Sequence, residues 1–173
     1  MNRPTPDNSE LTFEKSEIIV SKTDLKGRIT YANRTFCQIA GYCEEELIGQ
    51  PHSIIRHPDM PRAVFKLLWD MLGSHDEVFA YVKNLSKTGG YYWVFAHVTP
   101  SFDKDWNVVG YHSNRRVPRR EVISKVIEPL YADLLAIENS ESNRKTGLQK
   151  SYDHLKEIIR SKARSYDELI FSL

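Results

Sequence analysis

Cysteine is nearly absent from this sequence: Cys37 and Cys43 are the only two in 173 residues. Two thiols so close together, with no second pair, make neither a disulfide framework nor a zinc site, and read as reduced thiols of a cytosolic protein. Long apolar runs are missing too, so no stretch is built to cross a bilayer as a helix. The polar start, Met1 to Glu10, lacks the apolar core of a secretory signal. Neither sign of charge is in excess: 24 Lys and Arg against 23 Asp and Glu leave a net charge of +1. That excludes the basic surplus expected of a nucleic-acid binder. What the chain does have is 40% hydrophobic and 11% aromatic residues, enough for a core without metal or disulfide staples.

Residues 1–16 read as a tail or cap, loose over Met1 to Ser9. Glu17 to Val20 and Arg28 to Ala32 flank Lys26-Gly27, a hairpin signal. Asn33 or Thr35 caps a short helix that Gly41 stops, and Glu44 to Gly49 reads as one more helical turn. Three prolines keep Pro51 to Pro61 irregular. Val64, Leu67, Leu68, Met71 and Leu72 predict a helix over 62–73. Val78 to Val82 and Tyr91 to Thr99 predict a long hairpin joined by Asn84 to Gly90 and ended by Pro100. Val108 to Arg116 makes a further strand. The order predicts an α+β fold, one five-stranded antiparallel sheet with short helices on one face. This block spans 17–118. A helix over 119–138 follows, with Pro129 as its kink. Then come a Ser/Asn-rich linker over 139–147 and an amphipathic helix over 148–173.

The run Pro51-His52-Ser53-Ile54-Ile55-Arg56-His57-Pro58-Asp59-Met60-Pro61 concentrates the chemistry. Prolines force it into a path that aims several side chains at one spot. Arg56 offers a fork for phosphate or carboxylate, and His57 and Asp59 can hold each other and a polar ligand. Solvated loop charges are the plainer reading of the same composition. No nucleophile–base pair, phosphate-cradling glycine loop or carboxylate–histidine metal set is evident, so the chain does not read as an enzyme.

The segment Thr23 to Asn33, Gly41-Tyr42 with Glu46 to Gly49, Lys87 to Val94 and Val108 to Tyr111 resemble the motifs of a PAS domain. The Pro51-His52 and Arg56 to Pro61 run, with Phe65, Trp69 and Val82-Lys83-Asn84, resembles a narrower group. These are the Aer-type PAS domains of bacterial energy taxis and their soluble, separate-chain relatives of the CetB kind. The resemblance implies a sensor that holds FAD non-covalently. It implies a redox signal relayed to a membrane-bound chemotaxis transducer with a HAMP and signalling module. The location implied is cytoplasmic, peripheral at the inner membrane through that receptor.

Carried over position by position, the resemblance implies that Arg56, His57 and Asp59 are required for FAD, with Asn33, Phe65 and Trp69 around the cleft. Asn84 lies against the flavin edge, and His112 stands where light-sensing relatives carry a signalling glutamine. Alternation in the strand after Gly90 turns Tyr92, Val94, Ala96 and Val98 toward the ligand. Trp93, Phe95, His97 and Thr99 then form an outer row, open to cover by the chain's own segments or by a homodimer partner. Cys37 and Cys43 lie too early for covalent flavin photochemistry. A haem gas sensor is the weaker competitor, since the 62–73 helix holds no histidine and His57 and His75 only flank it. A cofactor-free or metabolite-binding dimerisation and adaptor module is the other competitor.

Overall fold

The computed structural model describes residues 4–74 and 76–173; Met1 to Arg3 and His75 lie outside it. Packing divides the chain into two compact units: residues 1–57 with 75–117, and residues 58–74 with 118–173.

The first unit is built on strands β1 (Ile19–Thr23), β2 (Ile29–Ala32), β3 (Val78–Leu85), β4 (Tyr91–Phe102) and β5 (Val108–Arg116). They form one antiparallel sheet in the order β2-β1-β5-β4-β3, as expected of the fold class. Helices α1 (Arg34–Ala40) and α2 (Glu44–Leu47) pack beside β1 and β2, and a 3-10 turn spans His52–Ile55. Asn33 explains why α1 starts where it does: its Oδ1 accepts from Phe36 N at 3.0 Å and from Val20 N at 3.0 Å. Ile19, Ile29, Phe36, Leu47, Ile55, Leu85, Tyr92 and Val94 form the buried core of this unit.

Three sequence expectations need correction here. β3 runs to Leu85, so Asn84 is a strand residue opposite Tyr92 and not part of the turn. β4 does not stop at Pro100 but continues to Phe102. β3 pairs with it only as far as Val98, so Pro100 lies on a free edge where its missing N–H is tolerated. The N-terminal tail is not loose from Asp7 onward. Asp7 N donates to Gly89 O at 3.0 Å, Tyr91 N to Ser9 O at 2.8 Å, and Leu11 N to Tyr91 O at 2.7 Å. Gly89 and Gly90 permit this approach, because a Cβ at either would stand 2.8 Å from Thr5 O or 2.9 Å from Ser9 Oγ.

The helix expected over 62–73 forms as α3 (Arg62–Gly73), but it belongs to the second unit and not to the 17–118 block, with α4 (Arg120–Val122), a π turn over Ile123–Ile127, α5 (Glu128–Asn139), α6 (Arg144–Lys162) and α7 (Tyr166–Ser172). Pro129 stands in the first turn of α5, directly after the π turn, where its missing N–H is tolerated. The predicted linker shrinks to four residues, because Asn143 accepts from Lys145 N and Thr146 N and so starts α6 early. The final amphipathic stretch is two helices. Ser165 caps the second by accepting from Glu168 N at 3.1 Å. No helix among the described residues is long and apolar enough to cross a membrane.

Candidate functional site

Strand register decides which side chains share a face. Directly paired residues point the same way, so Tyr92, Val94, Ala96 and Val98 lie on one face with Asn84, Val82, Ala80 and Val78 opposite them. The pairs Ala96–Arg115, Ile19–Arg115 and Ser21–Ser113 add Ile19, Ser21, Ser113 and Arg115 to that inner face. The outer face carries Trp93, Phe95, His97 and Thr99. Its rings stack across the strands, Phe79 on His97 at 4.2 Å and Tyr81 against Phe95 at 4.9 Å. Trp93 and Tyr81 are buried and Phe95 and His97 half-buried, so this row is not a bare patch.

The same register corrects the expectation for His112. It pairs with Thr99 and Lys22 and lies on the outer face, where its Nε2 meets Asn114 Oδ1 at 3.2 Å. The inward positions of β5 are the odd ones, Ser113 and Arg115.

Arg115 is a candidate site residue that the sequence reading missed. It is 2% exposed. Its Nε donates to Ser113 Oγ at 3.0 Å, its Nη2 donates to Ser21 Oγ and lies 3.2 Å from His52 Nε2, and its guanidinium sits 4.8 Å over the Phe36 ring. No carboxylate pairs with it among the described residues, and Nη1 has no acceptor there. Burial lowers its pKa from 12.5 to about 10, which leaves it a cation at neutral pH. His52, stacked on Phe36, is held neutral: burial first, then the charges of Arg115 and Arg56, lower its pKa to about 3. Neutral His52 can therefore accept at Nε2 from Ser21 Oγ at 3.2 Å. Tyr92 has no exposed surface, and its hydroxyl has no partner among the described residues. Burial pushes that phenol well above its usual range, so it stays a donor. The inner face thus presents one uncompensated cation and two buried donor groups, Arg115 Nη1 and Tyr92 OH, set among apolar walls. An acceptor-rich or anionic group meets these needs.

The proline-framed run supplies a second part. Arg56 pairs as an isolated bridge with Asn84, and His57 N donates to Lys83 O at 3.4 Å. His57 is buried, 6.0 Å edge-on from the Tyr91 ring. Arg56, His57 and Asn84 are therefore brought together at the end of β3, with Tyr92 across from Asn84. Asn33 has a structural duty: besides its two accepted bonds, its Nδ2 donates to Ile18 O at 2.8 Å, tying α1 to β1. Asp59, Phe65 and Trp69 belong to the second unit, with Phe65 and Trp69 on α3. No group of His, Cys, Asp and Glu among the described residues could hold a metal ion.

Comparison with known proteins agrees with this architecture. The PAS fold family matches residues 29–115. The aerotaxis receptor of Escherichia coli is 44% identical over 118 residues, 68% of this chain and 23% of that receptor. The nitrogen fixation regulatory protein of Klebsiella pneumoniae is 27% identical over 60% of this chain and 21% of its own length. The chain thus spans under a quarter of these curated relatives. Among solved structures, the dark state of the blue-light photoreceptor Aureochrome1 LOV superposes with a TM-score of 0.55 at 22% identity. It covers 69% of this chain and 86% of that one. Strand order, helix placement and sequence pattern converge, and this chain belongs to the PAS fold family.

Proposed function

We propose that this chain is a redox sensor and not an enzyme. It holds a flavin without a covalent bond and hands the flavin's state to a separate signalling partner. The observation that carries the reading is the pair of buried donors, Arg115 Nη1 and Tyr92 OH, on the same sheet face as Asn84. They fit the acceptor-rich edge of a flavin ring. Arg115 supplies a positive charge to that face, and Asn84 can both donate and accept there. Ser21 and Ser113 hold the guanidinium in place. The neutral ring of His52 braces it without adding charge. Arg56 and His57 lie beside Asn84 at the end of β3, where a guanidinium suits a phosphate. When bound, the flavin supplies reversible electron uptake.

Asn33 serves by placing α1, and His112 is left out of the site. Asp59, Phe65 and Trp69 stay in the proposal on the resemblance alone, as does the choice of FAD. The similarity to an aerotaxis receptor over part of its length supports a membrane chemotaxis transducer as the partner and a cytoplasmic location for this chain. A homodimer through the outer sheet face and the C-terminal helices belongs to the same proposal.

A second reading, a cofactor-free adaptor, draws on the complete burial of Tyr92 and Val94, whose side chains already close part of the interior. One absorption spectrum, with mass spectrometry of the released ligand, decides. Flavin bands that bleach under dithionite are expected. Protein that stays colourless after adding FAD overturns the flavin reading, and a Soret band replaces it with haem.

A further inference from the structure

Helix α3 begins without a cap of its own. Pro61 stands at its N-cap position with no side-chain bond, and its first turn holds no acidic residue. The missing cap comes from α5. Glu138 is 4% exposed; its Oε1 accepts from Ala63 N at 2.9 Å and its Oε2 from Arg62 Nε at 2.7 Å. Arg62 Nη1 in turn donates to Arg144 O, at the start of α6, at 2.8 Å. A second tie grips the far end of α3: Tyr152 OH on α6 donates to Asp70 Oδ2 at 2.7 Å, and Lys66 Nζ lies 4.5 Å over the Tyr152 ring. The α5–α6 hairpin that brings these groups to bear is itself close-packed. Ser151 Oγ donates to Leu134 O at 3.0 Å, and a Cβ at Gly147 would stand 2.4 Å from Glu138 O. A negative charge at a helix N-terminus is the favourable place for it, and burial strengthens the effect.

We propose that the α5–α6 hairpin is the output lever of this chain and that Glu138 is the positioning residue that couples it. By capping α3 from outside, Glu138 fixes the first turn of that helix and the Pro58–Pro61 turn before it, which bears Asp59. Movement of that turn is then transmitted to α5 and α6 through one carboxylate and one phenol. The signalling half of this proposal rests on the flavin reading; the coupling half does not.

The test is hydrogen exchange on the full chain in two arms. In flavin-free protein, Glu138→Gln should raise exchange in peptides covering 62–69 about tenfold, the loss of one charged cap. Peptides from β3 to β5 should change less than twofold. Glu138→Ala should go further in the same direction; if it fails to fold, the isosteric Gln variant decides alone. Unchanged exchange at 62–69, or an equal rise everywhere, overturns the coupling. In flavin-loaded protein, reduction should alter exchange across 130–155 in the wild type. That response should vanish in Glu138→Gln while flavin content stays the same. A response that persists in the variant overturns Glu138 as the coupler. Protein that takes up no flavin overturns the sensing reading, and the first arm still decides the coupling.

Discussion

Replacing Arg115 with Met should separate stability from ligand binding. In the flavin-free protein the buried guanidinium is a cost: a pKa lowered from 12.5 to about 10 corresponds to about 3 kcal/mol against the charged form in the fold. Against that stand two hydrogen bonds from the charged guanidinium, to Ser21 and Ser113, at about 1.5 kcal/mol each, and the contact with Phe36 at about 0.5–1 kcal/mol. Met keeps much of the side chain's length and removes the charge. The two sides nearly cancel, so urea unfolding of the flavin-free variant should lie within about 1 kcal/mol of the wild type. The flavin loses a charge-assisted bond worth about 1.5–3 kcal/mol, so its dissociation constant should rise roughly 10- to 150-fold. Nearly unchanged stability beside a large loss of flavin affinity is the signature. If stability falls by more than about 3 kcal/mol while flavin affinity holds, Arg115 is a structural strut and the ligand argument fails.

His52 links the site to pH. Its folded pKa, about 3, lies below its unfolded value of 6.5, so the unfolded chain takes up the proton first. Stability present above pH 6.5 is lost as pH falls toward 3, by about 2 kcal/mol at pH 5. His52→Gln, which keeps an acceptor for Ser21, should flatten that part of the pH–stability curve; an unchanged curve shows that His52 does not titrate this way. Asn84→Ala should weaken flavin retention, by ultrafiltration, with little change in circular dichroism; equal losses in both would make Asn84 a strand residue only. Gly110→Ala puts a methyl 2.2 Å from Thr23 O, so the β1–β5 pairing must shift, at about 2 kcal/mol or more. A thermal midpoint within a degree of the wild type would contradict that geometry.

The α+β class was legible because aromatic and β-branched runs, prolines and helical spacing each pointed to the same elements. The 62–73 helix was read at its true length from apolar spacing, with Gly73 as its stop. The inward face of β4 was also legible, since Val94 and Ala96 alternate with larger residues. β5 was not. Tyr111, His112, Ser113, Asn114, Arg115 and Arg116 carry no apolar alternation, so nothing local fixes which parity turns inward. Arg115 looks like a surface residue beside Arg116, and only its pairing with Ala96 and Ile19 shows otherwise. The resemblance put the expected site residue at His112, on the face opposite Arg115's. Asn84 was read into the turn because Asn favours turns, while its pairing with Tyr92 keeps it in the strand. The cap from Glu138 to α3 joins residues 75 apart and leaves no local trace.

The strap that runs past Tyr91 closes a stretch of β4 that β5 does not reach, because β5 pairs with β4 only from Phe95 onward. Delete the first eleven residues, and the open amide and carbonyl at Tyr91 become a docking edge for any other extended chain. Shortened versions of this protein should then clump through that rim, and any work with them would measure the stickiness of a wound rather than the behaviour of the sensor.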